Sequence, residues 1–173
     1  LAEMVRLILK PGQQLLAVKY CTTRALDPRS ERRQAAYLHA LRTEPLLEIH
    51  FGQYKTIEKE CSKCGNIDIV PVEKMTDVNL AKELLCDLFL DRFDVALLVT
   101  ADSDLLPVLE LAKAEFPRKF ILPVFPPARA SKELEQEAGT KFNIGENILR
   151  QAQFPLNVQC ASGRTIQRPP SWK

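Results

Sequence analysis

The chain has 173 residues, enough for one domain with a substantial core and too few for two domains of ordinary size. Hydrophobic residues make up 46% and charged residues 27%, the balance of a globular protein, and no apolar run is long enough to span a membrane. A membrane partner is therefore not expected, whereas the net charge of +2 permits a nucleic-acid partner without indicating one.

Helical and extended patterns alternate along the chain. Apolar residues recur every three or four positions in the predicted helices, and they alternate or run together in the predicted strands. The predicted helices cover residues 1–9, 32–42, 77–90, 103–115, 131–138 and 146–151. The predicted strands cover residues 15–21, 46–51, 95–100, 119–125 and 141–144, with weaker extended segments over 53–60 and within 61–72. This alternation predicts an α/β fold with a mainly parallel sheet over residues 1–154, followed by a polar tail over 155–173.

Two carboxylates follow the most apolar of the predicted strands. The run that starts at Val95 ends at Thr100, and Asp102 and Asp104 come next with Ser103 between them. A continuous apolar run is typical of a strand buried on both faces of a parallel sheet, and ligands bind beyond the carboxyl ends of such strands. Because two neighbouring carboxylates repel each other unless a cation lies between them, the pattern predicts a divalent metal site.

A third carboxylate, Asp77, falls in the first turn of the helix predicted over 77–90, for which Thr76 is the expected N-cap. Its position in the helical pattern is at the edge of the buried face, so its side chain is expected to point towards the sheet. The alternative interpretation is that Asp77, Asp102 and Asp104 only cap helices or interact with helix dipoles. Three such acids at adjoining ends of elements favour the site interpretation.

The order of motifs resembles the NYN domain, a branch of the PIN-like nucleases. The resemblance is carried mainly by two motifs, Glu73-Lys74-x-x-Asp77 and Thr100-Ala-Asp102-Ser103-Asp104. Further matching segments lie along nearly the whole chain: Lys19-Tyr20, Arg33-Gln34-Ala-Ala-Tyr37-Leu38, Cys61-x-x-Cys64-Gly65, Phe125-Pro126-Pro127 and Arg168-Pro169-Pro-Ser-Trp172.

The resemblance implies a Rossmann-like three-layer sandwich of the PIN type and hydrolysis of RNA phosphodiester bonds at an acidic Mg²⁺ or Mn²⁺ site. It also implies a cytoplasmic setting. The residues that match the acids of the family are Asp77, Asp102 and Asp104, and Thr100 matches a small hydroxyl residue beside the metal.

Three further residues are predicted to contact the RNA phosphates. Lys74 lies close to Asp77 along the chain, and Ser103 lies between the two acids after the apolar strand. Arg33 belongs to a run of basic residues that either contacts a phosphate backbone or forms a solvated helix face.

One family feature has no counterpart here. Members of the family open with a strand that ends in an Asp-Gly-x-Asn type of motif, and nothing in residues 1–21 resembles it. The first strand and its Asp are therefore expected to be absent from this chain. This leaves open an alternative function, a catalytically silent module that binds RNA or protein. Haloacid-dehalogenase phosphatases also carry an Asp-x-Asp, but they continue with Gly-Thr where this chain has Leu105-Leu106.

The five cysteines are odd in number and scattered, which favours a reducing compartment over a disulfide framework. Cys61 and Cys64 have the spacing of half a zinc site. The interpretations left open are a plain turn, a structural Zn²⁺ site completed by the fold or by a homodimer, and a redox centre. His39 and His50 are interpreted as structural, since no nucleophile motif accompanies them.

Overall fold

A computed structural model of the chain describes residues 1–160, 162–169 and 172. The helices in these residues are α1 (Ala2–Arg6), α2 (Pro28–Leu41), α3 (Thr76–Phe89), α4 (Leu106–Glu115), α5 (Lys132–Ala138) and α6 (Glu146–Gln151). The strands are β1 (Val18–Thr22), β2 (Leu47–Phe51), β3 (Gln53–Glu60), β4 (Ile67–Lys74), β5 (Val95–Val99), β6 (Phe120–Phe125), β7 (Phe142–Asn143), β8 (Asn157–Gln159) and β9 (Thr165–Gln167). None of these helices is both long and apolar enough to cross a bilayer.

Parallel strand pairs form the middle layer of the fold. β1 pairs with β2 in parallel, and β5, β6 and β7 form a second parallel set in that order. Neighbouring residues of β5 point to opposite faces, as the pleat requires. Leu98 packs in the core formed with α3, α4 and α5, whereas Leu97 packs in the core formed with α1 and α6. The predicted α/β fold, a Rossmann-like three-layer sandwich with mainly parallel strands, is thus confirmed.

Helix α3 joins the two parallel sets. It packs against β1 and β2, and its residues Leu84 and Leu88 also lie in the core with Leu98 of β5. The Nζ of Lys19 on β1 lies 2.8 Å from Glu83 Oε2 and 2.8 Å from Asp87 Oδ1, both on α3. The middle and last turns of α3 are therefore held against both sets of strands.

Four strands of the middle layer, β1, β2, β5 and β7, have a single hydrogen-bonded neighbour among the described residues. β1 pairs with β2 alone and β5 pairs with β6 alone, so each keeps an open edge. The sequence predicted that β5 is buried on both faces, and this is wrong for its ends. Val95 and Val99 are 41% and 40% exposed although Leu98 is buried, because no strand covers the open edge of β5.

Several element ends differ from the prediction for local reasons. α2 begins at Pro28 rather than at residue 32, because the Asp27 side chain accepts hydrogen bonds from the backbone N–H groups of Arg29 (3.0 Å) and Ser30 (3.1 Å). The helix predicted over 103–115 opens with a 3-10 turn, Ser103–Leu105.

The segment after Pro155, predicted as a tail, contains an antiparallel hairpin of β8 and β9. β9 packs against α2, and the ring of Trp172 lies 6.1 Å from the ring of Tyr37, centroid to centroid. Apolar contacts thus hold this segment on the helical layer formed by α1, α2 and α6.

Candidate metal centre

The three acids predicted from the sequence and a fourth, Glu73, influence one another's surroundings at Asp77, although in the described residues no three of them offer ligand atoms within 4.8 Å of one another. Although Asp77 is an exposed residue, loss of solvent around its carboxylate raises its pKa, and the negative charges of Asp102, Glu73 and Asp104, in that order, raise it further. The other three carboxylates therefore act on Asp77 from the end of β4 and from the turn after β5. Such a concentration of negative charge favours the binding of a cation.

The turn after β5 holds Asp102 through two short-range hydrogen bonds. The backbone N–H of Asp102 donates to Thr100 Oγ1 at 3.1 Å, and the backbone N–H of Asp104 donates to Asp102 Oδ1 at 3.0 Å. Asp102 thus caps the 3-10 turn, as the alternative interpretation of the sequence required, while it also lies within the acidic group. Capping and metal binding are compatible because the hydrogen bond from the Asp104 N–H uses only one of the two oxygens of the Asp102 carboxylate.

Glu73 is the acid that the sequence prediction missed as a site residue. It lies near the end of β4, and its Oε1 accepts hydrogen bonds from the Thr76 backbone N–H (3.2 Å) and from the Thr76 hydroxyl. The predicted N-cap was wrong by one position, because the helix begins at Thr76 and follows Met75, whose φ is 80°. Glu73 performs the capping instead. Its position four residues before Asp77, in the Glu-Lys-x-x-Asp motif, was the signal that could have identified it.

Gly52 allows the chain to pass close to this turn. It links β2 to β3, and its N–H donates to Thr22 O at 2.8 Å. A Cβ at this position would lie 2.7 Å from Lys74 O, 2.8 Å from Thr76 Oγ1 and 2.9 Å from Glu73 Oε1. Because the nearest of these atoms belongs to the backbone, any larger residue must displace the segment that holds Glu73 and the start of α3.

Gly52→Ala is expected to destabilise the protein by about 1–3 kcal/mol, because the added methyl group forces the β4–α3 turn to move. The free energy of unfolding in urea measures the effect. The control is Gly145→Ala, since nothing lies within 4 Å of a Cβ at Gly145 and its φ is −80°. A change of less than about 1 kcal/mol is expected for the control. Equal losses in the two variants would contradict the steric explanation.

Of the three residues predicted to contact phosphate, two lie next to the acids along the chain and the third lies on α2. Ser103 is exposed and begins the 3-10 turn between the acids, and Lys74 is exposed at the end of β4, next to Glu73. Arg33 is exposed on α2, where it donates a hydrogen bond to Ser30 Oγ at 3.2 Å. In the part of the chain that the structure describes, no hydrogen bond or ion pair joins Arg33 to the acidic group.

A second group of metal-type ligands was not predicted. The side chains of Glu48, His50 and Glu83 each offer one ligand atom, and these atoms lie within 4.8 Å of one another. His50 Nδ1 is 3.2 Å from Glu83 Oε1. The sequence signal was weak, since Glu48 and His50 alternate on one strand whereas Glu83 comes from a distant helix.

Lysines already neutralise part of this second group. Glu83 lies 2.8 Å from the Nζ of Lys19 and 2.8 Å from the Nζ of Lys82, and these hydrogen bonds lower the pKa of Glu83 to about 2. A divalent ion at Glu83 would have to compete with two ammonium groups. The acids around Asp77 have no such cation partner among the described residues, although only the second group holds three ligand atoms within 4.8 Å of one another.

Comparison with known proteins gives one family and one fold relative. A model of the NYN domain matches residues 4–144. No curated protein matches the sequence. The fold resembles the crystal structure of a protein of unknown function from Vibrio parahaemolyticus, with a TM-score of 0.58 and 18% identity over 84% of this chain and 78% of that chain. At this identity, the resemblance to the Vibrio protein shows the fold alone.

Proposed function

Because this chain belongs to the NYN domain family, a branch of the PIN-like superfamily, we propose that it is a divalent-metal-dependent nuclease that hydrolyses RNA. The observation that supports the proposal is the raised pKa of Asp77, to which the charges of Asp102, Glu73 and Asp104 contribute after the loss of solvent around its carboxylate. Such a site gains most from a hard divalent cation such as Mg²⁺ or Mn²⁺, which prefers oxygen ligands. The family and the absence of disulfides among the cysteines support a cytoplasmic setting.

The residues of the site have separate roles in this proposal. Asp102 is the direct metal ligand, since it lies in the turn after β5 and is held there by hydrogen bonds with its neighbours. Asp77 and Asp104 complete the site directly or through water. When bound, the metal neutralises charge on the scissile phosphate and activates the attacking water.

The neighbouring polar residues either position a metal ligand or contact the RNA in this proposal. Thr100 orients the backbone of Asp102 through its hydroxyl. Ser103 and Lys74 are exposed beside the acids, where they would contact phosphate oxygens. Arg33 lies on α2 and would bind the RNA backbone away from the scissile bond.

Asp77→Asn is expected to stabilise the metal-free protein at neutral pH. A raised pKa means that the Asp77 carboxyl binds a proton more tightly in the native state than in the unfolded state. The protonated carboxyl therefore stabilises the fold at low pH, and this stabilisation is lost as the pH rises from the ordinary carboxyl pKa through the raised one. Above this pH range the charged Asp77 carboxylate is unfavourable in the native state, and asparagine removes that charge. Thermal unfolding in EDTA should show a higher Tm, and added Mn²⁺ should raise the Tm of the variant less than that of the wild type.

The control for this measurement is Asp94→Asn, because the Asp94 side chain is 96% exposed and pairs with Lys119. It should leave the Mn²⁺-dependent rise in Tm unchanged. A lower Tm for Asp77→Asn in EDTA would contradict the electrostatic argument.

Cleavage of labelled single-stranded RNA in Mn²⁺, compared with EDTA, tests the activity. Cleavage that requires the metal supports the nuclease. A folded protein that binds Mn²⁺ and RNA but leaves the RNA intact would overturn the proposal in favour of the silent binding module. The wild-type gain in Tm with Mn²⁺ reports the metal site independently of cleavage.

A further inference from the structure

The β3–β4 hairpin extends into solvent and carries two cysteines at its tip. Every residue of β3 is exposed, and the eight-residue strands pair in register from Gln53↔Lys74 to Glu60↔Ile67. The tip is closed by two backbone hydrogen bonds, from Cys61 N–H to Asn66 O (2.8 Å) and from Gly65 N–H to Cys61 O (2.9 Å). A two-stranded hairpin with both faces in water is marginally stable by itself.

The turn at the tip arranges the two thiols for metal binding. Gly65 has a φ of 69°, which returns the chain to β4 directly after Cys64. Cys61 and Cys64 therefore lie three positions apart within one closed turn, which is the C-x-x-C spacing of paired zinc ligands.

The chain does not supply the remaining ligands. The other cysteines lie on different elements: Cys21 on β1, Cys86 in α3 and Cys160 after β8. In residues 1–160, 162–169 and 172, no third cysteine, histidine or carboxylate joins Cys61 and Cys64 in a group of possible metal ligands. Structural zinc is bound by four ligands in tetrahedral geometry, so this tip is half of a site.

We propose that Cys61 and Cys64 from two copies of this chain together bind one Zn²⁺ ion, which joins the two hairpins tip to tip. A second copy is the partner that fits, because a twofold axis through the metal supplies two identical halves and closes the assembly. The thiols that are protonated release their protons to solvent as the sulfurs bind zinc.

Exposed apolar side chains beside the tip also favour a second copy of this chain as the partner. Ile67 and Ile69, the first and third residues of β4, share one face of the hairpin and are 59% and 70% exposed. Two hairpins that meet at a shared metal would bring these side chains near their symmetry-related counterparts and remove part of their apolar surface from water.

Zinc titration of the reduced chain, with the molar mass followed by light scattering, tests the proposal. The expected result is conversion of a monomer to a dimer that holds one Zn²⁺ per two chains. Co²⁺ in place of zinc should give the charge-transfer absorption of thiolate ligands and the visible bands of tetrahedral cobalt. Cys61→Ser and Cys64→Ser should each lose both the cobalt spectrum and the metal-dependent dimer.

Two control variants make the test specific. Cys86→Ser changes an exposed thiol on α3 and should keep the zinc dimer. Asp102→Asn alters the acidic centre and should also keep it, which separates this site from the proposed nuclease activity. One zinc per monomer, a cobalt spectrum without thiolate absorption, or a dimer that persists in Cys61→Ser without zinc would each overturn the proposal.

Discussion

Replacing Asp102 by asparagine should reduce Mn²⁺-dependent cleavage of RNA by about 10²- to 10³-fold while the protein stays folded. Asparagine keeps the side-chain oxygen that accepts the hydrogen bond from the Asp104 N–H at 3.0 Å, so the turn after β5 should keep its shape. What is lost is the negative charge that binds the metal. Initial rates of cleavage at saturating Mn²⁺, with circular dichroism as the check on folding, measure the effect.

The matched control for Asp102→Asn is again Asp94→Asn, which removes an exposed carboxylate just before the same strand. Its cleavage rate should equal that of the wild type. Full activity in Asp102→Asn would remove this residue from the mechanism, whatever the control shows. If both variants lost activity together, the general negative charge of the surface, rather than a metal site, would explain the result.

Lys19→Met should destabilise the protein by about 2–3 kcal/mol. The Lys19 side chain is 13% exposed and its ammonium group lies between Glu83 and Asp87, so its removal leaves two partly buried carboxylates without their shared cation. The packing of β1 on α3 should weaken in consequence. Urea unfolding at pH 7 measures the loss.

The pH dependence of stability gives an independent check on Lys19. The native pKa of Glu83 is about 2, well below its ordinary value of 4.5. Glu83 therefore stabilises the fold above the ordinary value, and this contribution is lost as the pH falls from about 4.5 towards 2. The acid-induced loss in that range should be smaller in Lys19→Met than in the wild type.

The matched control for Lys19→Met is Lys82→Met. Lys82 contacts the same Glu83 carboxylate at 2.8 Å, but its side chain is 54% exposed, so the expected loss is below about 1 kcal/mol. Equal losses from the two lysines would contradict the claim that burial makes the Lys19 contacts strong.

The features that were predictable from the sequence are those encoded by short segments. The apolar run of β5 followed by Asp102 and Asp104, and the Glu-Lys-x-x-Asp motif at the start of α3, indicated the α/β fold and the family, which the match over residues 4–144 confirms. The grouping of Asp77 with Asp102 and Asp104 in one site stays a prediction, and the described structure supports it through the effect of both acids on the pKa of Asp77.

The features that were missed depend on contacts between distant segments. The capping role of Glu73 arises from a turn at Met75 with a positive φ, which no propensity indicates for methionine. The group of Glu48, His50 and Glu83 forms only when α3 packs on β2. The exposure of Val95 and Val99 was also unpredictable from β5 itself, because it depends on which neighbours flank the strand.

The open edges of β1 and β5 affect the colloidal behaviour of the protein. In the described residues, each strand leaves one row of backbone N–H and C=O groups without a strand partner, and such rows can pair with the edge of another molecule. On β5 this edge is flanked by exposed valines, and the net charge of +2 gives little long-range repulsion between molecules. Aggregation should therefore increase steeply with protein concentration. Solubility should be lowest near the pH at which the net charge vanishes.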